Sequence, residues 1–72
     1  MINFKENYRY SAKNSNGEVY EFILDKLGRR YLYGYIEYTA FNRYYITFNK
    51  DSLFSEDGAW EIEEELGYRK SY

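Results

Sequence analysis

The side chains that most often do chemistry in enzymes are missing from this sequence. It contains no His and no Cys, so the commonest general base and the thiolate nucleophile are both absent. Lys, carboxylate and Tyr side chains remain, but the five Gly residues are spaced singly and none of them opens a phosphate-binding loop. We therefore expect a protein that is not an enzyme and that carries no cofactor.

The acidic stretch 51–61 is the place where a metal site has to be considered. With Gly58 at the sixth position of a calcium-binding loop, Asp57 and Glu64 take the fifth and twelfth positions, but the first ligand position falls on Leu53. A leucine side chain cannot bind calcium, and His and Cys, the commonest transition-metal ligands, are absent. We expect no metal site.

Tyrosine is the residue type that most distinguishes the composition. The chain has 11 Tyr in 72 residues, and several of them alternate with apolar residues between positions 31 and 48. If Leu32, Ile36 and Phe48 face a core, the odd-numbered tyrosines lie on the opposite face of the sheet. Tyr and Arg are enriched at binding hot spots because they offer a large contact area and a polar tip. The expected partner-binding residues are Tyr31, Tyr33, Tyr35, Tyr45, Arg29, Arg30 and Arg43.

The same tyrosines also suit a purely structural role. Tyrosine favours strands, and cross-strand tyrosine pairs stabilise an exposed sheet face by ~0.2–1 kcal/mol each without any ligand. The sequence favours neither role over the other.

Strands must position these residues. Period-two alternation predicts strands over about residues 2–13, 18–24, 30–40 and 43–49, and the pair Asn16-Gly17 predicts a hairpin turn between the first two. Four strands joined in sequence order form an antiparallel meander.

Residues 55–66 change to a helical pattern. Ala59, Ile62 and Leu66 share one helical face, and Gly67 is suited to end the helix. The predicted fold class is therefore α+β: a four-stranded antiparallel β-sheet with one C-terminal α-helix packed on one face, in a single small domain over residues 1–72. The expected acidic helix face consists of Glu56, Asp57, Glu61, Glu64 and Glu65. It is either an ordinary solvated face or an imitation of a phosphate backbone.

The charge is unevenly distributed along the chain. The formal net charge is −2, with +3 over residues 1–50 and −5 over residues 51–72. This distribution lacks the uniformly basic character of many nucleic-acid-binding proteins. The sequence shows neither a signal peptide nor a membrane span, so we expect a protein of the bacterial cytoplasm with no membrane partner.

One stretch resembles a known family. The segment 28–37, Gly-Arg-Arg-Tyr-Leu-Tyr-Gly-Tyr-Ile-Glu, resembles the sheet segment in the arm-site DNA-binding domain of conjugative-transposon tyrosine recombinases. That family reads the major groove with a three-stranded sheet backed by a helix. The resemblance implies DNA binding by the tyrosine-bearing sheet.

Three functions are compatible with these features. The first is a protein-binding module, specifically a small phage-type accessory protein that inhibits a host defence or nucleic-acid-processing enzyme by covering its surface. The phage origin rests on small size and on a composition rich in Asn, Lys, Tyr, Ile and Glu without Pro. The second is nucleic-acid binding by the Tyr/Arg-lined sheet face, and the third is a structural homodimer whose sheet faces bury each other.

Overall fold

Within the described residues, the regular structure is a single antiparallel sheet. The computed structural model describes residues 2–69. Its five strands are β1 (Tyr8–Asn14), β2 (Val19–Leu27), β3 (Tyr31–Thr39), β4 (Asn42–Asn49) and β5 (Trp60–Tyr68). Their spatial order is β4-β3-β2-β1-β5, so the fifth strand pairs with the first. Neighbouring strands are antiparallel throughout.

The first four strands follow the alternation in the sequence. The predicted antiparallel meander of these strands is confirmed, although the first strand begins at Tyr8 and not at residue 2. At the turn between β1 and β2, the side-chain oxygen of Asn14 accepts hydrogen bonds from the N–H groups of Asn16 and Glu18, each at 3.0 Å. Gly17 follows with φ of 83°, a conformation that most other residues avoid.

The core lies on one face of the sheet, called here the inner face. The apolar side chains on this face are removed from water when the protein folds, and this hydrophobic effect is the main force that stabilises the sheet. Phe22 of β2 and Phe48 of β4 meet edge to face, with ring centroids 4.7 Å apart. They meet across β3, where Gly34 provides no side chain to separate them. The buried residues of this core are Tyr10, Ala12, Phe22, Leu24, Leu32, Ile36, Phe48, Trp60 and Ile62.

The prediction of an α+β fold with a C-terminal helix is wrong. Among the described residues there is no helix, and the segment predicted as helical forms a turn followed by β5. Trp60 and Ile62, two residues apart, both point into the core, which is the period of a strand. Pairing with β1 supplies the backbone hydrogen bonds that a helix would make internally, so tertiary contacts override the helical preference of the glutamates. The sheet accordingly has five strands, where four were predicted.

Ser55 and Asp57, at the start of the segment predicted as helical, stabilise a turn instead. The Ser55 hydroxyl accepts a hydrogen bond from the N–H of Trp60 (3.0 Å) and donates one to Asp57 (2.6 Å). Asp57 in turn accepts from the N–H of Ala59 (3.0 Å). Single bridges join Phe48 to Ser55 and Phe54 to Glu61. Residues 53–56 therefore link the end of β4 to the start of β5 and partly close the sheet around its core.

The glutamates expected on one acidic helix face are consequently separated. Glu56 and Asp57 lie in the turn, whereas Glu61, Glu64 and Glu65 lie along β5. Two irregularities in the pairing of β5 with β1 further divide the acids of that strand. An acidic helix face does not exist in the described structure. Residues 2–69 contain no helix that could cross a membrane.

Candidate binding face

The tyrosines singled out in the sequence lie on the face of the sheet opposite the core, called here the outer face. In β3, Tyr31, Tyr33 and Tyr35 alternate with the core residues Leu32 and Ile36. In β4, Tyr45 stands opposite Tyr35 in the register. Their exposure differs widely: Tyr45 is 68% exposed, Tyr33 is 41% exposed, and Tyr35 is only 3% exposed.

Tyr35 is buried because other side chains cover it. The guanidinium of Arg43 lies 4.5 Å from the centre of its ring, and that of Arg69 lies 5.7 Å away. The ring of Tyr45 packs beside it at 5.5 Å. Tyr35 therefore anchors the side chains around it and offers no contact area of its own to a partner.

The hydroxyl of Tyr35 has no hydrogen-bond partner among the described residues. Desolvation by burial raises the pKa of this hydroxyl, and the nearby positive charges of Arg69 and Arg43 oppose part of the increase. The hydroxyl of Tyr35 is thus neutral at physiological pH.

Acids balance two of the three arginines on the outer face, Arg9 and Arg43, whereas Arg69 lies against the ring of Tyr35. Arg9 of β1 donates to Glu21 of β2 at 3.0 Å, and Arg43 of β4 lies 4.0 Å from Glu37 of β3. Both pairs are partly exposed, so each contributes little to stability. Their effect is on the surface potential, because the paired arginines do not present a net positive charge.

Arg29 and Arg30 are not part of the outer face. Both are exposed and lie in the connection between β2 and β3, at one end of the sheet. The carbonyl of Arg30 accepts a hydrogen bond from the N–H of Lys50 (2.9 Å), which ties this connection to the end of β4. Of the three arginines expected at the site, the structure brings only Arg43 together with the tyrosines.

A groove of ≈ 410 Å³ lies beside the exposed tyrosines. Aromatic side chains of Tyr33, Tyr44 and Tyr45 line it, and no Lys or Arg is among its lining residues. Three carboxylates also line the groove: Asp25, Glu56 and Asp57. The groove is therefore acidic and aromatic.

Two local structures bring these carboxylates to the groove. An irregularity between Leu24 and Lys26 leaves Asp25 without a partner in β3, and bulges of this kind redirect side chains. The turn after β4 supplies Glu56 and Asp57. The hydrogen bond from Ser55, followed by that from the N–H of Ala59, lowers the pKa of Asp57, so this carboxyl stays ionised at physiological pH.

Sequence reasoning missed part of this site. Asp25 lies just beyond the predicted second strand (residues 18–24), and the bulge that redirects its side chain leaves no pattern in the sequence. Arg69, which covers Tyr35, was not among the predicted site residues. Within residues 2–69 no group of three or more His, Cys, Asp or Glu side chains is arranged to bind a metal ion.

Comparison of the chain with protein-family models, curated proteins and solved structures finds no match. The helix that the resemblance to recombinase DNA-binding domains implied behind the sheet is absent from the described residues. The function must therefore be inferred from the fold and the surface: a small all-β domain with a core on one face and the exposed residues Tyr33 and Tyr45 on the other.

Proposed function

We propose that this protein is a binding module that acts on another protein through its outer face. The observation that carries the proposal is the pair of exposed tyrosines, Tyr33 and Tyr45, beside the acidic groove. Strands of a packed sheet hold both residues, so little conformational entropy is lost when a partner buries their rings. Buried aromatic rings of this kind supply much of the binding energy in protein interfaces.

The charges around the tyrosines favour a protein partner over a nucleic acid. Arg9 and Arg43 are paired with glutamates, the guanidinium of Arg69 lies against the ring of Tyr35, and the groove has three carboxylates and no basic residue. Phosphate backbones are bound by unpaired Lys and Arg and are repelled by carboxylates. Mixed charges around exposed aromatic rings are more typical of a protein–protein interface.

The biological setting forms part of the proposal and rests on the sequence. Small size and composition support a phage-type accessory protein of the bacterial cytoplasm, which inhibits a host enzyme by covering its surface. An inhibitor of this kind needs no catalytic group, because it acts by occupying a surface.

The test compares three versions of the immobilised protein in bacterial lysates, each with and without nuclease treatment. They are the wild type, the double variant Tyr33→Ala/Tyr45→Ala, and the control Phe41→Ala. Phe41 is 99% exposed in the turn after β3, so the control also removes an exposed aromatic ring. We expect one stoichiometric protein that survives nuclease, binds the wild type and the control, and is lost with the double variant.

Binding must then be reproduced with the purified partner. Recovery that disappears with nuclease would instead support the DNA- or RNA-binding function. A sedimentation mass above 8.8 kDa that returns to the monomer value in the double variant would support the homodimer. Capture that is equal for the wild type and the double variant contradicts a role for the outer face.

A further inference from the structure

One edge of the sheet keeps part of its backbone unpaired. The carbonyl of Thr47 accepts a hydrogen bond from the N–H of Glu56 (3.0 Å), on the side of β4 away from β3. Because the backbone groups of successive strand residues point in alternating directions, those of Tyr45 and Arg43 also point away from β3. Residues 53–56 meet only the end of β4. Along residues 42–46, the described part of the chain places no strand on this edge.

The other edge of the sheet is protected in ways that β4 is not. β5 is irregular at two points opposite β1, and it carries three consecutive glutamates, Glu63–Glu65. Bulges and charged side chains are devices by which edge strands avoid pairing with other chains. The one charged residue of β4 is Arg43, which is paired with Glu37 of β3. The strand pairs regularly with β3 from Tyr31 to Glu37 and exposes Tyr44 and Tyr45. The β4 edge is thus the one suited to accept a strand.

The groove beside this edge has an uncompensated negative charge. Asp25, Glu56 and Asp57 line it, and none of them forms an ion pair with a described residue. Tyr33 and Tyr45 also line this groove, and aromatic rings attract cations to their faces. Charge and aromatic lining together select a cationic side chain.

We infer that an extended, basic segment of the protein partner adds to the free edge of β4 as a further strand and places a Lys or Arg side chain in the acidic, tyrosine-lined groove. This inference rests on the proposed function and names the chemistry of the partner. Main-chain hydrogen bonds to Tyr45 and Arg43 supply part of the affinity, and the cationic side chain supplies the specificity. A nucleic acid does not fit this site, because its phosphates meet the three carboxylates.

The test uses the whole protein and short synthetic peptides of alternating Thr and Val. One peptide has a central Arg, and its counterpart has Gln at that position. We expect the Arg peptide to bind about tenfold more tightly than the Gln peptide, with affinity that falls as salt is added. Amide hydrogen exchange should slow at Arg43 and Tyr45, whose N–H groups exchange freely in the absence of peptide.

Two charge variants test whether the groove causes the preference for the Arg peptide over the Gln peptide. Asp25→Asn/Glu56→Gln removes two exposed groove carboxylates that make no side-chain hydrogen bond among the described residues, and it should abolish the preference for Arg over Gln. The control variant Glu64→Gln/Glu65→Gln makes the same change in net charge on β5, and it should keep the preference for the Arg peptide. Equal binding of the two peptides to the wild type overturns the inference, as does protection of amides elsewhere with none at Arg43 and Tyr45.

Failure here can be told apart from failure of the proposed function. If the captured partner depends on Tyr33 and Tyr45 but binds Asp25→Asn/Glu56→Gln as well as it binds the wild type, the outer face is a protein-binding site and the basic-segment inference is wrong. If a second copy of the chain occupies the β4 edge, slowed exchange at Arg43 and Tyr45 appears without peptide and depends on protein concentration, and the inference also fails.

Discussion

Tyrosine serves opposite purposes on the two faces of this sheet. On the inner face, Tyr10 is fully buried, and its hydroxyl is satisfied by the N–H of Lys5 at 2.8 Å. On the outer face, Tyr35 is nearly as buried but its hydroxyl has no described partner, while Tyr45 is mostly exposed. Residue type alone therefore does not show which tyrosines stabilise the fold and which are available to a partner. The surroundings of each ring decide it.

The largest expected effect comes from breaking the inner face at Gly34. A Cβ at this position would overlap the carbonyl oxygen of Ile23 and approach the ring of Phe22 to 2.9 Å. Because backbone atoms cannot move aside easily, we expect Gly34→Ala to lower the free energy of unfolding by about 3 kcal/mol. Urea unfolding, monitored by the fluorescence of Trp60, measures this change in the free energy of unfolding.

Gly17→Ala is the matched control. Nothing lies within 4 Å of a Cβ at Gly17, but its φ of 83° is positive. Alanine at this position is disfavoured only by the positive φ, so we expect the free energy of unfolding to fall by about 1 kcal/mol. Equal losses for the two variants would show that β3 does not approach β2 as closely as described.

The next largest effect concerns the turn that links the two edges of the sheet. Ser55→Ala removes the acceptor for the N–H of Trp60 and the donor to Asp57. Because Ser55 is buried, we expect a loss of about 1–2 kcal/mol in the free energy of unfolding. Ser52→Ala, which removes an exposed and longer hydrogen bond of 3.3 Å, should cost clearly less. A thermal unfolding series that ranks Ser52→Ala as the more damaging variant contradicts this account of the turn.

The two faces can be compared by removing one buried tyrosine hydroxyl from each and measuring the free energy of unfolding. Tyr10→Phe leaves the N–H of Lys5 without its partner and should cost about 1 kcal/mol. Tyr35→Phe removes a buried hydroxyl that has no described partner, and the ring keeps its contacts with Arg43 and Arg69. Its stability should stay within about 0.5 kcal/mol of the wild type, or rise. Denaturant titration of both variants measures the difference, and a larger loss for Tyr35→Phe would show that its hydroxyl is bonded.

The smallest expected effect is at the exposed tyrosines themselves. Tyr45→Ala should change the free energy of unfolding by about 0.5 kcal/mol or less, because the ring is mostly exposed and its aromatic contact is with Tyr35. Calorimetry of the isolated protein provides the measurement. A drop in stability as large as that of Ser55→Ala would mean that Tyr45 acts in the fold, and it would remove the basis for assigning it to binding.

The sequence predicts the parts of the fold that depend on neighbouring residues. The alternation over β2, β3 and β4 identifies these strands and places Tyr33 and Tyr45 on the face opposite Leu32, and Asn16-Gly17 identifies the first turn. β5 was missed because Ala59, Ile62 and Leu66 have helical spacing and the glutamates favour a helix. Its strand conformation depends on β1, which lies about fifty residues earlier in the chain.

The candidate site was predictable to a similar extent. The exposed tyrosines follow from alternation, but the groove does not, because it combines a bulge in β2 with a turn stabilised by Ser55. The sequence also gives no sign that Arg43 and Arg69 cover Tyr35, which removes this residue from the contact surface. Such arrangements follow from three-dimensional contacts and not from residue spacing.

The pairing of β1 with β5 also determines when the protein can acquire its structure. The N–H of Glu64 donates to the hydroxyl of Ser11, a contact between residues 53 positions apart. During synthesis, β1 through β4 can form hairpins early, but one edge of β1 stays open until Trp60–Tyr68 has left the ribosome. Contacts between distant residues slow folding, and open strand edges promote aggregation of incomplete chains. The sheet is therefore completed only when β5 pairs with β1, after the hairpins of β1 to β4 have had time to form.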